Sequence, residues 1–369
     1  MAGVFMLLAT GAFAQSGSGY DVYDSSVITS KRMPQQNEFW NNSYNFPAKP
    51  RNQWEIGVSG GSFNVSSDVP TRFFTPGFGV HVRKALGYVF SLRLQYLYGT
   101  AKGLSWLGAE NYGSNPAWAS NGYTAPSQLV YYNYKNKTQD LSLQGIITLN
   151  NIRFHKNKTG IVFYAGAGFG GTAYQTKINA LDANGDPYID LFNSITQATS
   201  HKDRKDILKE LKDGMDDTYE TDAESNGLRR AKLGDNTLRF STNVLAGIAF
   251  KLGKRINLAI ENRHTFIKDD LLDGQRWQEH PTGDAALTGD WDSYNYLSVG
   301  LNFNLGAKSV EPLWWINPLD YAYSELNNPK HMKLPKPVFD DADGDGVVDQ
   351  LDREPNTPAG CPVDTHGVT

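Results

Sequence analysis

Apolar and polar residues alternate with a period of two in eight stretches between residues 52 and 306. This period places successive side chains on opposite faces of a β-strand, whereas the apolar face of a helix would repeat about every 3.6 residues. The pattern therefore predicts eight strands with one apolar and one small or polar face. In the clearest stretch, small polar residues separate Leu297, Val299, Leu301, Phe303 and Leu305. The other stretches include residues 54–58, 78–83, 90–98, 141–149, 161–169, 244–252 and 256–263.

Strand length and loop length favour a membrane barrel. A stretch of about ten residues is what a tilted strand needs to cross a bilayer. Closure of an even number of strands removes the edges that lipid cannot satisfy. A soluble β-sandwich would also alternate in hydrophobicity, but short turns regularly followed by longer loops are typical of outer-membrane barrels. We therefore expect an all-β fold, an eight-stranded antiparallel transmembrane β-barrel. The longer loops are expected near 64–72, 103–128, 177–236 and 268–292.

The amino terminus has features of an export signal. Residues 4–8 are apolar, and Ala12-Phe13-Ala14 matches the small-residue pattern at which signal peptides are cleaved. The usual preceding basic residues are missing, and a buried first strand is the alternative interpretation. The expected segments are a signal peptide at 1–14, a periplasmic N-terminal segment at 15–51, the barrel at 52–306, a periplasmic linker at 307–339 and a calcium-binding extension at 340–369.

The inward face of the predicted barrel carries charge. Eight strands enclose a space that side chains just fill, and unpaired charge there would be costly, so acids and bases should pair. One interpretation is structural, with ion pairs replacing an apolar core. The other is a gate whose pairs exchange partners and admit small solutes, and the narrow bore favours the first. The inward charged residues are Glu55, His81, Arg83, Arg93, Glu261 and Arg263.

Composition and motifs argue against several classes of function. The 35 basic and 39 acidic residues give a net charge of -4, which leaves no basic excess to bind nucleic acid. The single cysteine excludes an internal disulfide and a multi-cysteine zinc site. A G-x-G-x-x-G pattern at 166–171 continues as strand rather than helix, so it does not predict a dinucleotide site. We find no catalytic constellation and expect no enzyme.

Two segments outside the predicted strands contain apolar side chains that should be buried in the protein or at the membrane interface. Residues 200–216 predict a short helix with Ile207, Leu208 and Leu211 on one side and a solvated face of mixed charge. Trp314 follows the last strand together with a second tryptophan, where such residues either anchor at the membrane interface or pack against the periplasmic turns.

Near the carboxyl end, acidic residues have the spacing of a calcium loop. Asp occupies positions 1, 3, 5, 9 and 12, and Gly346 at position 6 allows the sharp turn. Calcium prefers six to eight oxygen ligands, which this loop largely supplies. The alternative is a solvated acidic linker, and the role of calcium, structural or regulatory, is left open. The predicted ligands of Ca²⁺ are Asp341, Asp343, Asp345, the carbonyl of Val347, Asp349 and Asp352.

The loop and its continuation REPNTPAGCPVDTHG at 353–367 resemble a thrombospondin type 3 repeat. The pattern DxDGDGVxDxxDxxPxTPxGxxVDxxG is typical of OmpA family outer-membrane proteins of the Bacteroidetes type. The segments NNSYNFPAKPRNQWEIGVSGG and WWINPLDYAYSELNNP are also similar to that family. The resemblance implies a further C-terminal periplasmic domain that grips peptidoglycan, and that domain is missing from these 369 residues.

These observations predict a structural protein of the Gram-negative outer membrane whose C-terminal part is periplasmic. It would link the membrane to the periplasm and peptidoglycan, with at most narrow pore activity. Outer-membrane lipid, lipopolysaccharide and other outer-membrane proteins are the expected partners. The main alternative is an accessory barrel subunit of a larger complex for protein insertion or secretion, and a surface adhesin acting through the loop at 177–236 is a third.

Overall fold

A computed structural model describes most of the chain. The predicted signal peptide lies outside the described residues, as do residues 320, 323–325 and 327–338 of the predicted linker. The chain divides into two compact units, Met1–Tyr321 and Ala322–Thr369. The described residues are 20–152, 160–196, 200–223, 230–275, 291–319, 321–322, 326 and 339–369.

One antiparallel sheet dominates the first unit and closes on itself. The first long strand, Trp54–Ser66, pairs with the last, Ser293–Leu305, and Ile161–Ile178 pairs with Asn236–Lys251, so eight long strands form a ring. Two short strands, Thr221–Asp222 and Lys232–Leu233, pair with the ends of Ile161–Ile178 and Asn236–Lys251. In the described part of the chain the strands are β1 (Trp54–Ser66), β2 (Pro76–Ala85), β3 (Phe90–Leu104), β4 (Asn133–Thr148), β5 (Ile161–Ile178), β6 (Thr221–Asp222), β7 (Lys232–Leu233), β8 (Asn236–Lys251), β9 (Ile256–Ile267) and β10 (Ser293–Leu305).

The outward face of the ring is apolar. Leu141, Phe163 and Val299 are among the large hydrophobic side chains that stay exposed along the strands, while their neighbours in sequence point inward and are buried. A closed cylinder with an apolar outer belt and a polar interior is the architecture of an outer-membrane barrel. The predicted eight-stranded antiparallel barrel and its outer-membrane location are confirmed.

The helices are short and lie outside the ring. None of those in the described residues combines the length and apolar composition that a bilayer-spanning helix requires. The α-helices are α1 (Met33–Trp40), α2 (Pro116–Ala119), α3 (Ile189–Ser194) and α4 (Arg204–Gly214). Single 3₁₀ turns are Ser25–Val27, Ser30–Arg32, Tyr112–Ser114, Leu149–Asn151, His201–Asp203 and Leu313–Trp315.

The long loops fold over one end of the barrel as a cap with its own apolar core. Trp118 of α2 packs edge-to-face against Tyr123 and Tyr132, with ring centroids 5.1 and 5.2 Å apart. The apolar side predicted for 200–216 is buried in the same core through Ile207 and Leu211 of α4, while the charged side faces solvent. The loops are therefore a folded cap, which we define as the described residues of 67–75, 105–132, 179–235 and 268–292.

The opposite end of the barrel is closed by the segment that follows β10. Trp314 and Trp315 are buried, together with Leu313 and Ile316, against inward residues such as Tyr164. The interpretation of these tryptophans as interfacial anchors is wrong, because the chain turns back into the barrel end. The N-terminal segment packs through Gln36, whose amide donates to the Val22 carbonyl at 2.8 Å and accepts from the Ala48 N–H at 2.9 Å.

Candidate functional site

The best-formed ion pair of the barrel interior joins β3 to β9. Arg93 donates two parallel hydrogen bonds to Glu261, at 2.6 and 2.7 Å, in the bidentate geometry that suits guanidinium and carboxylate. Its Nε donates to Gln144 at 2.6 Å, and the Tyr164 hydroxyl donates to Glu261 at 2.9 Å. Every strong donor and acceptor of the pair therefore has a partner, as two charges removed from water require.

A looser group lies towards the tryptophan-closed end. Glu55 of β1 is 3.6 Å from His81 Nε2 and 3.8 Å from Arg83, and it accepts a hydrogen bond from Asn257 at 2.9 Å. The guanidinium of Arg83 stacks 3.9 Å from the Trp314 ring. Cation–π stacking on a desolvated ring partly replaces the water that this arginine has lost.

The third group contains an acid that the sequence analysis missed. Arg263 is fully buried and forms an ion pair with Asp140 of β4, while its second nitrogen donates to Gln95 at 3.2 Å. The hydroxyls of Thr172 and Ser241 donate to Asp140 at 2.9 Å each. Asp140 is two residues before Ser142, which faces inward on the same strand. Extending the alternating pattern towards the start of β4 would therefore have identified it.

The structure thus places all six predicted interior residues inside the barrel and distributes them over three groups. Glycine shapes one of them, because a Cβ on Gly57 would overlap the ring of His81. The cavity beside His81, Tyr164 and Glu261 has a volume of about 10 Å³, which is room for roughly one water molecule. The arrangement can hold charge in place but leaves little bore for a solute.

Above these groups the interior meets the cap at two further charged clusters. Asp269 is paired with Arg230 at 2.9 Å and Arg239 at 2.8 Å. Asp273 and Asp292 are buried nearby and accept backbone hydrogen bonds from Val69 and Leu272. Burial and neighbouring carboxylates raise the pKa of Asp273 to about 7 and raise that of Asp292 further.

In the second unit, the acidic loop wraps around its first carboxylate. Asp341 accepts hydrogen bonds from the N–H groups of Gly344 at 2.8 Å and Gly346 at 3.0 Å. Both glycines have positive φ, 76° and 91°, which explains why glycine occurs there. Asp343 and Asp345 are tied to the following segment by Thr357, whose N–H donates to Asp343 at 2.6 Å.

Three of the six predicted calcium ligands converge. Asp341, Asp343 and Asp345 each offer a carboxylate oxygen, and these atoms lie within 4.8 Å of one another. Among the described residues, Asp349 and Asp352 do not belong to this group. One oxygen of Asp349 instead accepts from the Ala342 N–H at 2.8 Å.

No family model and no curated relative matches the sequence. Solved structures similar to this chain include neisserial surface protein A, at 11% identity over 68% of this chain and 97% of that one, with a TM-score of 0.29. Ail, the attachment invasion locus protein of Yersinia pestis, has 8% identity over 69% and 99%, with a TM-score of 0.31. The N-terminal β-barrel domain of Pseudomonas aeruginosa OprF has 11% identity over 69% and 98%, with a TM-score of 0.26. At these TM-scores the evidence for the fold remains the strand pairing itself.

Proposed function

We propose that this protein is a structural, non-conducting barrel of the outer membrane that carries a calcium-stiffened periplasmic extension. The observation that carries the proposal is the filled interior. Arg93 and Glu261 hold each other across the bore at 2.6 Å, and the cavity beside them has a volume of about 10 Å³. Breaking such a desolvated, fully hydrogen-bonded pair is costly, so a gate that works by partner exchange is disfavoured.

The closed barrel end gives independent support. Trp314 and Trp315 are buried at the end opposite the cap, and Trp314 lies against Arg83. A solute would therefore have to displace an aromatic cluster and several ion pairs in succession. An anchor needs no such path, since its barrel only has to remain in the membrane.

Planar-bilayer recording of the purified, full chain tests this proposal. We expect no steps of conductance from the native protein. An Arg93→Ala/Glu261→Ala variant should also stay closed, because the buried Trp314 and the Arg263–Asp140 pair still obstruct the bore. A heat-modifiability gel, in which a folded barrel migrates faster before boiling, controls for folding. Regular conductance steps from the native protein would overturn the proposal.

For the extension, we propose that the acidic loop binds Ca²⁺. Hard carboxylate oxygens are the ligands this ion prefers, and Asp341, Asp343 and Asp345 already bring three of them together. These residues, with the Val347 carbonyl, Asp349 and Asp352, would hold the ion. Bound calcium would neutralise the acids and stiffen the segment.

Calorimetric titration of the full chain with Ca²⁺ tests the site. We expect binding that an Asp345→Asn substitution weakens by at least about tenfold, because it removes a charged ligand. Asp340→Asn, one residue before the loop, makes the same charge change and should leave the affinity unaltered. Equal titrations of the native protein and the Asp345 variant would refute the site.

The contact with peptidoglycan rests on the family resemblance alone. Co-purification after detergent extraction discriminates between an anchor and an accessory subunit. A stoichiometric partner barrel would favour the subunit of an insertion or secretion complex.

A further inference from the structure

We propose that the outer wall of the barrel carries a binding site for the phosphate groups of an outer-leaflet lipid, of the lipopolysaccharide class. The site is a cleft of about 270 Å³ between β4, β5 and the cap, here called the lysine cleft. The inference rests on the outer-membrane placement proposed above and adds a specific ligand and location. The cleft is lined by Lys135, Lys137, Gln175, Lys177, Thr218 and Tyr219.

Strand register places the lysines of the cleft side by side. Lys102 of β3 is directly opposite Lys135 of β4, which is directly opposite Lys177 of β5. Lys137 is two residues further along β4 towards the membrane and also faces outward. Its neighbours across the sheet are Thr100 of β3 and Gln175 of β5. Like charges directly opposite each other destabilise a sheet, so a row of three lysines calls for a compensating anion.

The row lies close to the outer edge of the lipid headgroup layer. The next outward row below Lys137 is Tyr98, Gln139 and Ala173, and below it the apolar belt begins at Leu141. With a rise of about 3.3 Å per residue and a strand tilt of about 40°, each step of two residues climbs about 5 Å. The backbones of Lys137 and of the Lys135 row are therefore about 10 and 15 Å above the first row of the belt, next to the outer edge of the polar layer of a bilayer.

The acids of the cap leave part of this charge uncompensated. Asp217 is 3.4 Å from Lys102 and 3.7 Å from Arg72, and Asp222 is 3.5 Å from Lys177. Among the described residues, Lys135 and Lys137 form no salt bridge. In the described part of the chain, two cations thus face the cleft without an acidic partner, which suits an anionic group such as a phosphate.

The wall of the cleft contains a strained residue. Tyr219 has a φ of 55°, a conformation that a bulky side chain rarely adopts. Its ring lies 4.8 Å from the Lys102 ammonium and 5.7 Å from that of Lys135. Its hydroxyl donates to Asn133 at 3.2 Å and to Asp217 at 3.1 Å. Backbone strain retained by surrounding contacts is a feature of ligand sites, and here it closes one side of the lysine cleft.

Native mass spectrometry of the folded full chain in mild detergent tests the proposal. The protein is first treated with EDTA to remove bridging cations and then mixed with bisphosphorylated lipid A. We expect a Lys135→Gln/Lys137→Gln variant to lose about 25-fold in affinity, since each lysine facing an anionic lipid contributes roughly fivefold. Lys205→Gln/Lys209→Gln on α4 makes the same charge change at exposed cap positions and should bind normally.

Three outcomes would overturn the proposal: equal binding by the cleft variant, equal binding of dephosphorylated lipid A, or displacement of lipid A by excess inorganic phosphate. The last would assign the cleft to a soluble anion. A heat-modifiability gel of each variant separates these failures from a failure of the barrel. Normal heat modification with no lipid preference refutes this site alone, whereas loss of heat modification in the native protein refutes the membrane barrel.

Discussion

The barrel interior and the cap are both buried, yet they are filled by opposite kinds of side chain. Inside the barrel, Arg263 and Asp140 are fully buried as an ion pair. Inside the cap, Trp118 and Leu211 are buried among aromatic and aliphatic neighbours. The difference follows from what surrounds each region. Lipid outside the barrel takes the apolar side chains and leaves polar ones for the interior, while water around the cap draws apolar side chains inward.

The change between the two regimes occurs within single strands. On β10, Tyr294 and Tyr296 point inward and join the core of the cap, whereas Ser298 and Asn302 line the charged part of the bore. On β1, Phe63 belongs to the apolar core while Glu55 belongs to the charged one. Whether an inward side chain is polar therefore depends not only on its inward direction but also on its position along the barrel axis.

The largest expected effect comes from breaking the buried pair. Asp140→Ala leaves Arg263 charged and unpaired in the bore, which should lower the free energy of unfolding by about 3–5 kcal/mol. Urea unfolding in detergent micelles, followed by tryptophan fluorescence, measures it. Asp222→Ala breaks an exposed pair with Lys177 and should cost less than about 1 kcal/mol. Equal losses in the two variants would remove the distinction between interior and surface charge.

A cavity created in the core of the cap should destabilise the cap but not the barrel. Leu211→Ala is expected to destabilise the cap by about 3 kcal/mol, because it empties space in an apolar core. Leu208→Ala, on the same helix but only half-buried, should cost less. Proteolysis of the loops reports the cap, and urea unfolding reports the barrel. A barrel that unfolds as readily as the cap in Leu211→Ala would show that the two regions are one cooperative unit.

Replacing Trp314 tests the closed end of the barrel. Trp314→Leu removes the ring stacked on Arg83 and should cost about 2 kcal/mol, the value for a desolvated cation–π contact. Trp54→Leu is the matched control, because its ring is half-exposed and 4.8 Å from Lys84, so about 0.5–1 kcal/mol is expected. Urea midpoints that shift equally would contradict burial as the source of the difference.

The stability of the cap should also depend on pH. Because the pKa of Asp273 is raised from 3.8 to about 7 in the folded protein, the folded state holds a proton that the unfolded state releases. Stability should fall as pH rises from about 4 to about 7, by at most about 1.4 kcal/mol per pH unit from Asp273, and should keep falling above pH 7 because the pKa of Asp292 is raised further. Asp273→Asn should reduce this dependence of stability on pH. Proteolysis of the loops, measured across the same pH range, reports the change. Stability that instead rises with pH would contradict the assignment.

Local sequence patterns predicted the barrel but not which charged residues pair inside it. Alternation along 297–305 identified a strand and its outward face, because period two is a property of one strand. The pairing of Arg263 with Asp140 depends on strands that are far apart in sequence and meet only when the ring closes. The position of Trp314 likewise depends on a turn back into the barrel that no local pattern indicates.

By itself, the sequence determined which faces meet lipid, how many strands cross the membrane and where acidic residues have the spacing of a calcium loop. Those properties are local, since they depend on side-chain periodicity and on the spacing of ligands within one loop. Only the tertiary structure decided which charges neutralise each other, that the loops fold into a cap, and that three lysines from three strands share one row. Closure of the ring is the physical reason, because it brings distant strands into register and removes their interior from water.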